Sequence, residues 1–200
     1  MKHLTTKSEA EGLLLPHVET VQRCLREGWE EWLRLRDREL ERGNTYSPRA
    51  RANIVYDLVA ERARAAFDGV EGVAVLRKHG FLVLLFGGRI AMRFKKLRPD
   101  LKSTGIRTNQ QRLFAEQEEM PGIPATATFL IAGYVLDPTQ AQIDRLVVTC
   151  SDGLGICWVL DLDFARGRRE VVSIGSAIEA PAPPEVRSAR KKARAQKEGR

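Results

Sequence analysis

Between residues 89 and 112 the chain carries eight basic side chains, Arg89, Arg93, Lys95, Lys96, Arg98, Lys102, Arg107 and Arg112, and one acid, Asp100. The chemistry open to such a run is anion capture, and phosphate is the anion that guanidinium forks and ammonium groups take best. Arg93 and Lys95 alternate with Ile90, Met92 and Phe94, so an extended strand turns a cationic face outward and an apolar face inward. Farther on, Thr108-Asn109-Gln110-Gln111 has the spacing of a capping box, with Thr108 serving the third helical amide and Gln111 reaching back. The free amides of Asn109 and Gln110 at that helix start favour an anion too. A second basic run closes the chain: Arg187, Arg190, Lys191, Lys192, Arg194, Lys197 and Arg200 stand against Glu198 alone and account for nearly all of the net charge of +7. The rest of the chain is close to neutral, with acids concentrated between residues 9 and 42, which predicts one positive and one negative face.

Other chemistries find less support. Asp144, Asp152, Asp161 and Asp163 lie near strand ends, where carboxylates cap turns, and no Gly-centred calcium loop surrounds them. His3, His17 and His79 are scattered and have no Cys or Asp at ligand spacing. Cys24, Cys150 and Cys157 match no metal or redox spacing, and the latter two sit in apolar stretches where free cysteine serves as a small core residue. Gly87-Gly88 lacks the helix and lysine of a phosphate loop and reads as a turn. No metal site and no cofactor are therefore expected.

The elements that must carry these residues follow from periodicity and punctuation. Val18, Val21, Leu25, Trp29, Trp32 and Leu40 recur at helical spacing after Pro16, and Gly43 is placed to cap the end. Ser47-Pro48 opens a second helix whose stripe runs through Ile54, Val55, Leu58, Val59 and Ala63 to Phe67, with a stop at Gly69. So short a connection predicts an antiparallel helical hairpin over 1–69. Runs at 73–76, 81–86 and 89–97 read as a first antiparallel meander, and a short helix over 109–119 separates it from a second meander at 125–136, 143–151 and 156–162. Residues 171–174 read as a further short strand. The sheet-rich body, 70–179, belongs to the same domain as the hairpin, and from Ala180 Pro, Ala and charge predict a disordered basic tail over 180–200.

The expected fold is thus α+β: an N-terminal two-helix hairpin packed on a mostly antiparallel sheet of about six strands, with one short inserted helix. Helix, three strands, helix and further strands is also the connectivity of the restriction-nuclease core. Its chemistry needs an Asp near one strand and Glu-x-Lys on the next to hold Mg²⁺ and polarise water. Here that strand reads Arg93-Phe94-Lys95, a cation standing where the metal ligand belongs, and Asp57, Asp68 and Glu71 lie upstream without a spaced partner. The resemblance is one of topology. Trp29 and Trp32 suit core packing better than an exposed stripe that could hold a protein partner.

The function expected from the sequence is non-enzymatic binding of nucleic acid, DNA or RNA, through its phosphate backbone, as a regulatory or accessory protein. Arg93, Lys95, Lys96, Arg98, Lys102, Arg107, Asn109 and Gln110 are the contacts expected of the folded part, assisted by Arg190, Lys191, Lys192 and Arg194 of the tail. The alternatives are a metal-dependent phosphodiesterase or nuclease-like hydrolase, and an inhibitor or subunit of a protein complex. The apolar runs are too short for the roughly 20 residues of a membrane helix. Unpatterned cysteines and the lack of a signal peptide point to a cytoplasmic protein.

Overall fold

Thr6 and Glu9 cap one another to start the first helix. The Glu9 amide donates to the Thr6 hydroxyl at 3.3 Å, and the Thr6 amide donates to the Glu9 carboxylate at 2.9 Å. The Thr6 hydroxyl donates to the same carboxylate at 2.8 Å and Arg89 at 2.9 Å, and with the Thr6 amide these donors hold the Glu9 carboxyl down to about 2. The computed structural model describes residues 3–43, 45–78, 80–103 and 108–162. In it this helix, α1 (Lys7–Leu14), precedes the expected first helix and is joined to α2 (Val18–Glu41) by a 3-10 turn over Leu15–His17 that contains Pro16. Its buried positions are just Ala10 and Leu14, too few to produce a readable period.

α3 (Pro48–Phe67) follows, its N-cap Ser47 accepting from the Ala50 amide at 3.2 Å. α2 and α3 pack as the expected hairpin. Gly28 is the reason they approach so closely: a Cβ there would meet Val59 Cγ2 at 2.5 Å and the Val59 backbone nitrogen at 3.1 Å. Trp29 and Trp32 are buried, the first ring 5.8 Å from Tyr134 and the second 5.5 Å from Tyr46. They are core residues, and this corrects the alternative that their helix offers them to a protein partner.

The strands are β1 (Val73–Lys78), β2 (Phe81–Phe86), β3 (Ile90–Leu97), β4 (Thr128–Leu136), β5 (Ile143–Ser151) and β6 (Ile156–Asp161). They form one six-stranded sheet in chain order, antiparallel throughout except for β3 and β4, which run parallel. Gly87 and Gly88, with φ of 54° and 66°, make the β2–β3 turn in a backbone region that side chains other than glycine disfavour. The parallel pair requires a crossover, and α4 (Asn109–Ala115) lies on it.

The sheet is covered on both sides. Leu84, Phe86, Ile90, Met92 and Phe94 pack with the helical hairpin, whereas Val83, Ala91 and Phe129 pack with Phe114 of α4, Met120 and Ile123. α4 stops at Ala115, short of the expected 119, because Gln117 turns left-handed at φ 59° and spends its side chain on the sheet. Its Nε2 donates to the carbonyls of Phe129 at 2.8 Å and Ser151 at 2.7 Å, while its Oε1 accepts from the Phe129 amide at 2.8 Å. The β4–β5 ladder begins at Leu130 and Cys150, so this buried amide supplies one further rung beyond it. The expected strand at 171–174 and the tail at 180–200 lie outside the described residues. No helix among the described residues is long and apolar enough to cross a membrane.

Candidate anion-binding cleft

β2 and β3 pair over three residues, Leu84 with Met92, Leu85 with Ala91 and Phe86 with Ile90. Beyond that the sheet forks. β2 keeps β1 along its whole length, and β3 keeps β4 from Ile90 to Leu97. Continued in register, Leu82 would face Phe94. Instead the Leu82 amide donates to the Tyr56 hydroxyl of α3 at 2.8 Å, so its hydrogen bond is made to the helix and not to β3. The tines enclose a cleft of about 720 Å³, walled by Phe81 on the β2 side and by Arg93, Lys95 and Lys96 on the β3 side. Arg49 and Asn53 near the start of α3 and Thr108 and Gln111 at the start of α4 add to its lining, and Gln140 joins from the β4–β5 turn.

Arg93 anchors this cleft. It is 3% exposed, its guanidinium lies 4.0 Å from the Phe81 ring centroid and 5.0 Å from that of Phe114, and its Nε has no hydrogen-bond partner. Burial pulls its pKa down, but an arginine starts so high that it stays protonated. Cation–π contact returns roughly 0.5–2 kcal/mol, less than the several kcal/mol that desolvating an unpaired charge costs. Lys95 lies 5.8 Å from the Phe81 centroid. Lys96 donates to Gln140 Oε1 at 3.2 Å, an oxygen that Arg51 shares. Burial lowers both lysine pKa values, helped by the Arg93 charge for Lys95 and by Arg51 for Lys96.

Among the described residues no carboxylate lines the cleft. The first turn of α3 likewise has no acid and holds Arg49, placing a cation at the positive end of a helix dipole. Every local field here has the same sign. Such an arrangement is unfavourable until an anion arrives, which is what it can do chemically.

Lowered lysine pKa values predict opposite pH trends for folding and binding. Because the folded values lie below the ordinary lysine value of 10.5, the unfolded chain holds these protons in the interval between the two, and stability rises with pH across it. Anion affinity should fall across the same interval as the ammonium charge is lost. Melting curves and phosphate titrations at rising pH, up to the ordinary lysine value of 10.5, check this. Parallel declines of both quantities would refute it.

The cationic face expected from the sequence divides in the fold. Arg93, Lys95 and Lys96 meet in the cleft. Arg93 is not on an outward surface, since Phe114 covers it, which corrects the expectation of an open face. Arg98 forms a bidentate pair with Asp100, at 3.1 Å through its Nε. Lys102 is exposed on the same tight turn. Asn109 accepts from Arg112 at 3.3 Å, and Gln110 is half-buried beside it. The capping box is half formed: Thr108 accepts from the Gln111 amide at 3.2 Å, but the Gln111 side chain donates to Ser103. Arg89 pairs with Glu9, and Arg112 pairs with Glu116 and Glu118. Arg107, Arg190, Lys191, Lys192 and Arg194 lie outside the described residues.

Phe81, Arg49, Asn53 and Gln140 lie outside the cationic stretch that the sequence singles out, and only Arg49 has a local signal, the acid-free start Ser47-Pro48-Arg49-Ala50-Arg51. Elsewhere, His17 packs against the rings of Phe67 and Phe86, and burial lowers its pKa. Burial drives the Cys24 thiol up to about 11 and Cys150 up to about 12, values unsuited to a nucleophile. Among the described residues no three His, Cys, Asp or Glu groups are placed to hold a metal ion. Compared with protein-family models, curated proteins and solved structures, the chain has no significant match to any of them.

Proposed function

We propose that the protein binds nucleic acid through backbone phosphate, without catalysing a reaction on it, as a regulatory or accessory component. The observation that carries this reading is Arg93, a buried guanidinium with no acid beside it, in a cleft whose other charged groups are all cations. Phosphate suits it because a guanidinium offers a planar fork of donors, and charge-assisted bonds are about twice as strong as neutral ones. The hydrolase alternative needs carboxylates where this cleft has cations and amides. Arg190, Lys191, Lys192 and Arg194 assist by raising local affinity for phosphate without sequence preference.

Fluorescence anisotropy of labelled DNA and RNA at graded salt tests the reading. The expected slope of log affinity against log salt is about 0.7–0.9 per phosphate contact. Truncation after Glu179 should lower affinity and flatten that slope. A combined Lys95→Ala and Lys96→Ala change should do the same in the full chain, about equally for different base sequences. Affinity that ignores salt, or product formed from the probe when Mg²⁺ is supplied, would overturn it.

A further inference from the structure

We infer that the forked sheet takes an unpaired nucleic-acid strand, seating one phosphate on Arg93 and leaving the adjoining base among the cleft's amides. This rests on the nucleic-acid reading of the same site and goes further by naming the form of the ligand. Its first support is depth. Arg93 is 3% exposed and lines the cleft wall, so a phosphate that reaches it must leave the surface and bring its sugar along. A duplex is stiff, with a persistence length of about 150 base pairs, and keeps its phosphates on the outside of a cylinder. A single strand bends at every nucleotide and can turn one phosphate inward.

Size and lining agree with depth. About 720 Å³ falls in the range of roughly 300–1,000 Å³ that holds small organic ligands, enough for a nucleotide or two and far too little for a turn of duplex. Asn53 is exposed on the cleft wall, and Gln140 spends its carbonyl on Arg51 and Lys96 while its NH₂ group has no partner among the described residues. Amides with free donors and acceptors suit the Watson–Crick edge of a base, which is available only when the base is unpaired. Half-buried Phe81 lines the cleft as well, an aromatic ring of the kind on which unpaired bases stack without regard to sequence.

The test uses the full chain and three probes: a fluorescein-labelled fifteen-nucleotide oligothymidine, a blunt duplex of the same length, and AMP as competitor. The oligothymidine should bind about ten-fold or more tighter than the duplex at equal salt. Arg93→Gln should remove that margin while changing duplex binding, carried by the tail and outer cations, by less than about two-fold. Asn53→Ala alters an exposed helix position that cannot unfold the protein, and should weaken the single strand about three-fold and leave the duplex unchanged. Equal affinity for the two forms, or an Arg93→Gln loss shared by both, would overturn the inference while leaving nucleic-acid binding in place. AMP displacing the strand at equal nucleotide concentration would overturn it in favour of a small-molecule site. If no oligonucleotide binds the wild-type chain at low salt, the nucleic-acid reading itself falls.

Discussion

Arg93→Met should make the unliganded protein more stable and the liganded one weaker. The substitution removes a charge that is 3% exposed and has no acid beside it, and replaces it with a flexible apolar side chain that can lie against the Phe81 and Phe114 rings. Exchanging buried ionic groups for apolar ones is stabilising by about 1–4 kcal/mol when the charges are poorly compensated. Lost cation–π contact subtracts part of that, so a gain of about 1 kcal/mol or more is expected, or a rise in melting temperature of roughly 2–4 °C for a chain of this size. In the same variant, affinity for an oligonucleotide should drop about ten- to hundred-fold, the value of one charge-assisted bond to phosphate. Calorimetry with and without inorganic phosphate separates the two effects: phosphate should raise the melting temperature of the wild type and not of the variant. Should Arg93→Met melt well below the wild type, the guanidinium is a structural group and the cleft loses its anchor.

Gln117→Leu should be the most destabilising single change. Leucine matches the volume of glutamine but makes none of its three bonds to Phe129 and Ser151. Each buried backbone group that loses such a bond costs about 1–3 kcal/mol, so a total near 4 kcal/mol is expected, a large part of a domain's usual margin. Gln117→Glu tests the same point with the shape preserved: its carboxylate can still accept from the Phe129 amide but opposes two carbonyls it cannot donate to. Urea unfolding measures both. A loss below about 1 kcal/mol for Gln117→Leu would mean that the β4 end re-pairs without the amide. Because α4 borders the cleft through Thr108 and Gln111, milder variants at Gln117 should also weaken phosphate binding.

Much of the fold was legible in the chain because its signals are local. Ser47-Pro48 opens α3, and β5 runs over Ile143–Ser151 as the apolar run from 143 to 151 predicts. Gly87-Gly88 marks the turn that brings Phe86 opposite Ile90. α1 carries no readable period even though Thr6 and Glu9 stand at capping-box spacing, because an eight-residue helix with two buried positions has too few apolar sites to set one. The inserted helix was read as longer than it is, because its end depends on Gln117 bonding to strands 12 and 34 residues away.

Composition and spacing by themselves determined that this protein has an acid-poor basic stretch on a strand and in the connection after it, and that the strand alternates apolar with charged residues. Which cations are left without an acid was decided by the tertiary structure. Read along the chain, Arg98 has Asp100 two residues on and Arg112 has Glu116 four residues on, whereas Arg89 and Arg93 are equivalent. In the fold Arg89 finds Glu9, 80 residues away, Arg98 finds Asp100, and Arg112 finds Glu116 and Glu118. Arg93 is carried under Phe114 and beside Phe81, in a cleft that no acid among the described residues lines. Alternation states that Arg93 and Met92 face opposite ways but not which face a later helix will cover. The cleft itself exists because Tyr56 takes the Leu82 amide at a place where strand periodicity alone would continue the sheet. Pairing energy depends on distance in space and on the dielectric around each charge, and neither is defined until the chain has folded.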